Sequence, residues 1–186
     1  GVLPIFLGRA TALSGLMLDG DKRYTAGIKL GITTDTDDIT GTVLSECEVN
    51  VSKERLNDAL EHFKGKIKQK PPMYSALKKD GVRLYDLARL GKTVDIPERE
   101  VEIFSIDMLK ELDNDNCFTV DVSVSKGTYI RSLAHDIGEY LGCGATLTAL
   151  ERTETCGFKI SECTDLEDLD EQNIKEKIVS EENAVL

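Results

Sequence analysis

Apolar and polar positions alternate along the chain in two rhythms, and each rhythm predicts a different element. Leu13, Leu16 and Met17 share one side of a helix over residues 10–18. The stretch YTAGIKLGI predicts a strand over residues 23–32, and residues 43–51 a second one. Between them, TTDTDDITG is a loop, because Asp and Thr side chains bond nearby backbone and Gly41 permits positive φ. Ser52 suits a helix N-cap. Leu56, Ala59, Leu60 and Phe63 follow at helical spacing, and Gly65 closes that helix. Pro71-Pro72 excludes helix where it stands, and a short amphipathic helix over 82–90 stops at Gly91. Residues 66–97 are therefore expected to leave the core. Strands follow over 101–109 and 118–124, with Phe118, Val120, Val122 and Val124 pointing one way. Ile130, Leu133, Ala134, Ile137 and Leu141 mark one face of a further helix, with Gly142 just past its end. Residues 146–152 and a strand near 155–160 end the folded part. Strands and helices mix without a βαβ rhythm, so the fold class is α+β, with a mixed, largely antiparallel sheet and flanking helices. The expected organisation is one domain over 1–163, carrying an insertion at about 66–99, and an acidic, helical tail over 164–186.

Composition narrows the function classes. The 186 residues are 40% hydrophobic and 31% charged, which is globular. No apolar run approaches the ~20 residues of a bilayer span, so no membrane role is expected. GVLPIFLGRA has no basic segment ahead of its apolar stretch and is not a signal peptide. It opens at Gly1 on core-like residues, which reads as an interrupted domain with apolar surface left around Val2, Leu3, Ile5 and Phe6. The five cysteines are scattered, with no C-x-x-C, which points to reduced thiols and a cytoplasmic location. The net charge of −11 argues against a polyanionic partner only on average. Residues 64–92 hold nine Lys+Arg and two acids, whereas the last 26 residues hold nine acids and two lysines. The local field steers a polyanion, so the first segment attracts nucleic acid and the tail faces away from it.

Several short motifs fail on spacing. Gly91-Lys92-Thr93 resembles the end of a phosphate loop, but Asp86 stands where that loop needs its first glycine, and a helix precedes it. Asp35, Asp37 and Asp38 resemble part of a calcium loop, but Ile39 and Thr40 occupy its fifth and sixth places. The two histidines have no ligand spacing. No metal is expected.

Four longer blocks carry a stronger signal: GVLPIFLGRAT (1–11), DKRYTAGIKLGITTDTDD (21–38), PPMYSALKKDGVRLYDLAR (71–89) and SKGTYIRSLAHDIGEYLGCGATLTALERT (125–153). In order and spacing they resemble the TruB family of tRNA pseudouridine synthases. The resemblance implies the pseudouridine synthase fold, here a partial catalytic domain with a basic RNA-binding insertion. It implies an isomerase that converts uridine-55 in the T-loop of tRNA to pseudouridine. The enzyme flips the base out and exchanges the glycosidic bond, with no cofactor, and its partner is the tRNA T-arm. The intact protein is expected to be monomeric.

The same resemblance names residues. Tyr24 matches the active-site tyrosine, whose ring stacks on the flipped uracil and whose hydroxyl lies near the reacting sugar. Tyr129 lines the uracil pocket, and Leu150 touches the base. Arg131 pairs with the catalytic carboxylate, a role suited to a planar, bidentate fork. Lys66, Lys68, Lys70, Lys78, Lys79 and Arg83 meet phosphates, and Lys126 aids RNA binding. The family's nucleophilic aspartate sits in a G-[TA]-L-D-P motif, which would place it five residues before Gly1. The chain as numbered is therefore expected to be inactive alone, with an unpaired or solvent-bridged Arg131. His135 is assigned only to the polar, surface side of its helix. Two rival readings remain: a non-catalytic RNA-binding module, and an acidic interaction protein.

Overall fold

The computed structural model describes residues 1–15, 19–79, 81–92 and 94–179. Its framework is an antiparallel sheet. Strand β1 (Lys22–Leu30) runs into β2 (Ile32–Thr34), which pairs in a separate ribbon with β3 (Val43–Glu46). Helix α1 (Lys53–His62) leads to β4 (Gly65–Gln69). A small hairpin of β5 (Lys78–Lys79) and β6 (Val82–Arg83) precedes α2 (Leu84–Arg89). The long strands β7 (Arg99–Lys110) and β8 (Cys117–Val124) follow, then α3 (Ile130–Leu141), β9 (Ala145–Thr155) and β10 (Phe158–Lys159). Across the main sheet the order is β10-β9-β1-β8-β7-β4, every pair antiparallel.

One face of this sheet is the core. Ala26, Ile28 and Leu30 of β1 lie beside Phe118, Val120, Val122 and Val124 of β8, all buried. Leu56, Ala59 and Leu60 from α1, and Ile130, Leu133, Ala134, Ile137 and Leu141 from α3, cover them. Each such large side chain contributes about 1.5–3 kcal/mol by leaving water. The helix ends follow sequence chemistry. The Ser52 side chain accepts from Arg55 N–H, and Gly142 takes φ +80 after α3. Between β9 and β10, Cys156 and Gly157 both have positive φ (53 and 81), as a two-residue hairpin turn requires. Gly138 lets α3 lie close against the start of β9: a methyl there would meet the Ala145 amide nitrogen at 2.1 Å.

The structure differs from the periodicity reading in four places. Residues 8–13 form a 3-10 helix that passes into α-helix at residues 14–15, and Leu16, Met17 and Leu18 of the expected helix lie outside the described residues. The second strand stops at Glu46; Val49 and Val51 turn inward to pack on the core. The segment expected to leave the core at residue 66 begins instead as β4 within the main sheet. Its GKIKQ alternation turns Lys66 and Lys68 outward and buries Gln69. After β10 come 3-10 turns at Ile160–Glu162 and Leu166–Asp168 and, in the tail expected to be helical, one short helix, α4 (Ile174–Lys177); residues 180–186 lie outside the described residues. Among the described residues no helix is long and apolar enough to cross a membrane, and all five cysteines are free.

Candidate functional site

Tyr24 lies near the start of β1, on the side that carries Ala26 and Ile28, and packs half-buried against the core. It stands opposite Val122 on β8 and Arg152 on β9, beside a register shift between Arg23 and Tyr24. Leu150 on β9 faces Ala26 across the ladder and is 46% exposed, so it is not a core residue. The N-terminal segment closes this edge. Val2 N–H donates to the Arg152 carbonyl at 2.8 Å, and the Arg152 guanidinium returns two bonds to the Val2 carbonyl at 2.8 and 2.6 Å. Val2 is thereby buried, while Leu3 and Ile5 are 66% and 61% exposed and Phe6 is half-buried.

β8 ends beside the start of β1, where Val124 pairs with Lys22. The chain turns there into α3, so the beginning of that helix is delivered to the same end of the sheet as Tyr24. Tyr129 is its N-cap residue, extended at φ −104 and ψ 113 and half-buried. Arg131 is in the first turn. It is not unpaired: its Nη2 donates to the Tyr74 carbonyl at 3.0 Å. The expectation failed because the chain after β4 crosses over α3 and offers its backbone there. Ser132 Oγ donates to the Lys70 carbonyl at 3.0 Å, and Gln69 bonds twice to Tyr129. Sequence reasoning missed Gln69 and Tyr74. A polar residue at an inward position of an alternating strand was the available signal for Gln69.

The basic segment is partly neutralised. Lys66 pairs with Glu100 at 3.5 Å, Lys70 with Asp95 at 3.9 Å, and Lys126 with Asp19 at 3.0 Å. Lys79 Nζ donates to the Asp95 carbonyl, and Arg83 to the Tyr85 hydroxyl. Arg83 and Arg89 both lie over the Tyr85 ring, 5.6 and 5.4 Å from its centroid. Lys68 and Lys78 are exposed and make no ion pair among the described residues.

His135 sits one turn beyond Arg131 on α3. Its Nδ1 is 3.0 Å from Asp37 Oδ1, at ion-pair distance without hydrogen-bond alignment. Asp37 belongs to the loop after β2, which bridges to β9 through Ile39 N–H to Leu147 O and Leu147 N–H to Asp37 O. The Asp37 carboxylate raises the His135 pKa against the opposing effect of burial. Burial pushes the neighbouring Asp136 carboxyl up to about 6. The other loop carboxylates bond their own turn: Asp35 accepts from Thr42 N–H, and Asp38 from the Thr40 amide and hydroxyl. Two surface hollows flank β1, of about 480 Å³ by Gly31 and Cys47 and about 360 Å³ by Arg23 and Glu154. Neither is lined by Tyr24, Tyr129 or Arg131.

Comparison with known proteins gives this arrangement its context. Residues 1–130 match the TruB family pseudouridylate synthase (N terminal domain), and residues 131–185 match the tRNA pseudouridylate synthase B C-terminal domain. The chain belongs to the TruB family. Among its relatives are tRNA pseudouridine synthase B of Clostridium perfringens, 46% identical over all of this chain and 63% of that protein. That of Francisella tularensis subsp. novicida is 48% identical over 97% of this chain and 60% of its own length. The chain thus spans about three fifths of the length of these TruB relatives. The crystal structure of a Cbf5-Nop10-Gar1 complex superposes with a TM-score of 0.71 at 26% identity, covering 96% of this chain and 47% of that one. The archaeal box H/ACA sRNP Nop10-Cbf5 complex gives 0.66 at 26% identity, covering 96% and 46%. The two TruB matches meet at residues 130 and 131, inside α3, whose core face is continuous from Ile130 to Leu141.

Proposed function

We propose that these residues form the base-binding core of an enzyme that isomerises uridine-55 in the tRNA T-loop to pseudouridine. The likeness of the whole chain to proteins named tRNA pseudouridine synthase B carries this reading. The delivery of Tyr24 and of the Tyr129–Arg131 turn to one end of the sheet supports it. In this reading the target uridine leaves the loop, and its ring stacks on Tyr24, with Tyr129 and Leu150 bordering the slot. The N1–C1′ bond breaks, the uracil turns, C5 bonds to C1′, the C5 proton departs and N1 takes up a proton, so the atoms balance. A carboxylate assists at the sugar. Arg131 holds that carboxylate ionised with the donors that Tyr74 leaves unused, since a guanidinium has five. Lys66, Lys68, Lys70, Lys78, Lys79, Arg83 and Lys126 track the T-arm phosphates. The enzyme works as a cytoplasmic monomer.

Residues 1–186 contain no G-[TA]-L-D-P, and in this reading a segment carrying that motif supplies the carboxylate. Tritium release from T-arm RNA labelled at uridine C5 tests this. Residues 1–186 alone release essentially none, and the same residues joined behind a segment ending in the aspartate motif release it at an enzymatic rate. Tight RNA binding with no release in either form would instead favour a non-catalytic RNA-binding module.

A further inference from the structure

Gln69 is 1% exposed at the end of the edge strand β4, and its amide has one use. Its Oε1 accepts from Tyr129 N–H at 2.8 Å and its Nε2 donates to the Tyr129 carbonyl at 3.1 Å. The reverse amide orientation would set donor against donor and acceptor against acceptor, so the geometry fixes the assignment. The side chain therefore acts as a detached peptide unit that clamps both backbone polar groups of one residue. That residue is the extended N-cap of α3, which has no side-chain capping bond of its own. Two further bonds run in parallel, Arg131 to the Tyr74 carbonyl and Ser132 to the Lys70 carbonyl. Residues 129, 131 and 132 are thus tied to residues 69, 74 and 70, at the root of the basic segment.

We propose that Gln69 is a positioning residue: it fixes the direction of the Tyr129 ring and joins the basic segment to the base slot, so that backbone gripping and base capture act together. This rests on the uridine-isomerase reading above. The test compares binding of the full chain to a T-arm RNA hairpin with uridine at the target position and to the same hairpin abasic there, from pH 5 to 8. The unaltered chain binds the uridine hairpin at least about fivefold more tightly, as expected of base stacking. Gln69→Leu brings that ratio close to one at every pH and leaves the salt dependence of binding, which the lysines set, unchanged. Gln69→Glu restores the ratio at low pH only, where a protonated buried acid offers both an O–H donor and a carbonyl acceptor. Hydrogen exchange of the Tyr129 amide, fast in Gln69→Leu and slow in the unaltered chain, reports the clamp without RNA. A Gln69→Leu chain that keeps the ratio overturns the proposal. So does loss of ratio and salt slope together without low-pH recovery in Gln69→Glu, which would mean support of the fold alone. Equal binding of both hairpins by the unaltered chain overturns the functional reading, and the positioning role with it, even where the exchange pattern holds.

Discussion

His135 and Asp136 are adjacent on α3, and both hold a proton more tightly in the folded chain than in the unfolded one. For His135 the cause is the facing Asp37, and for Asp136 it is burial. The groups facing the pair are Asp37, Glu139 and Glu98. Where the folded state binds more protons, stability falls as pH rises. The His135 contribution is complete below the ordinary histidine value and disappears above its raised one. That of Asp136 is complete below pH 3.8 and disappears through about 6. Glu54 and Asp113, lowered chiefly by backbone N–H bonds, act in the opposite sense in the acid range, so the window to observe is pH 5 to 8. Urea unfolding should show stability falling across that window. Asp136→Asn should remove roughly 1 kcal/mol or less of the fall, because only the part of its two-unit shift above pH 5 lies in that window and solvent still reaches this carboxyl; an unchanged slope would contradict the assignment. Little of this was legible in the sequence. Tyr24 and Arg131 could be named because each sits in a contiguous motif. The His135 partner lies in a distant loop, and Asp37 reaches it from a left-handed backbone position (φ 56) that no periodicity announces.

At the scale of elements, α3 is decided by competing glycine effects. In an isolated helix Gly138→Ala would gain about 1 kcal/mol from propensity. Here the new methyl meets the Ala145 amide, a backbone atom that cannot swing aside. The net result should be destabilisation by about 1–3 kcal/mol, read as a lower urea midpoint. Ser52→Ala should cost about 1 kcal/mol through loss of the cap to Arg55 N–H. The helices α1 and α3 and the strands β1 and β8 were legible because one periodic face of each enters a single core. The end of β3 and the membership of β4 were not. Val43–Glu46 is exposed and ends opposite Ile32, where its partner β2 begins. GKIKQ becomes a sheet strand because β7 is long enough to receive it, which is a non-local fact.

At the scale of the molecule, charge and shape cooperate. Basic residues cluster between β4 and β7, on the β4 side of the sheet, whereas the acidic tail leaves from β10 at the opposite edge. That separation was legible as a charge asymmetry, although the strand order that produces it was not. Lys78→Ala and Lys79→Ala should each flatten the log–log salt dependence of T-arm binding by a little under one unit per lost phosphate contact. Lys79 should show less, since its ammonium already holds the Asp95 carbonyl. Tyr24 and the start of α3 meet at one end of the sheet, and the functional reading depends on what occupies that end. A crystal structure of the chain with a T-arm RNA hairpin decides it most directly. The expected result is the target uridine turned out of the loop, its ring against Tyr24 and within reach of Tyr129 and Arg131; a uridine still stacked in the loop, or an RNA seated away from Tyr24, would contradict the uridine-isomerase reading.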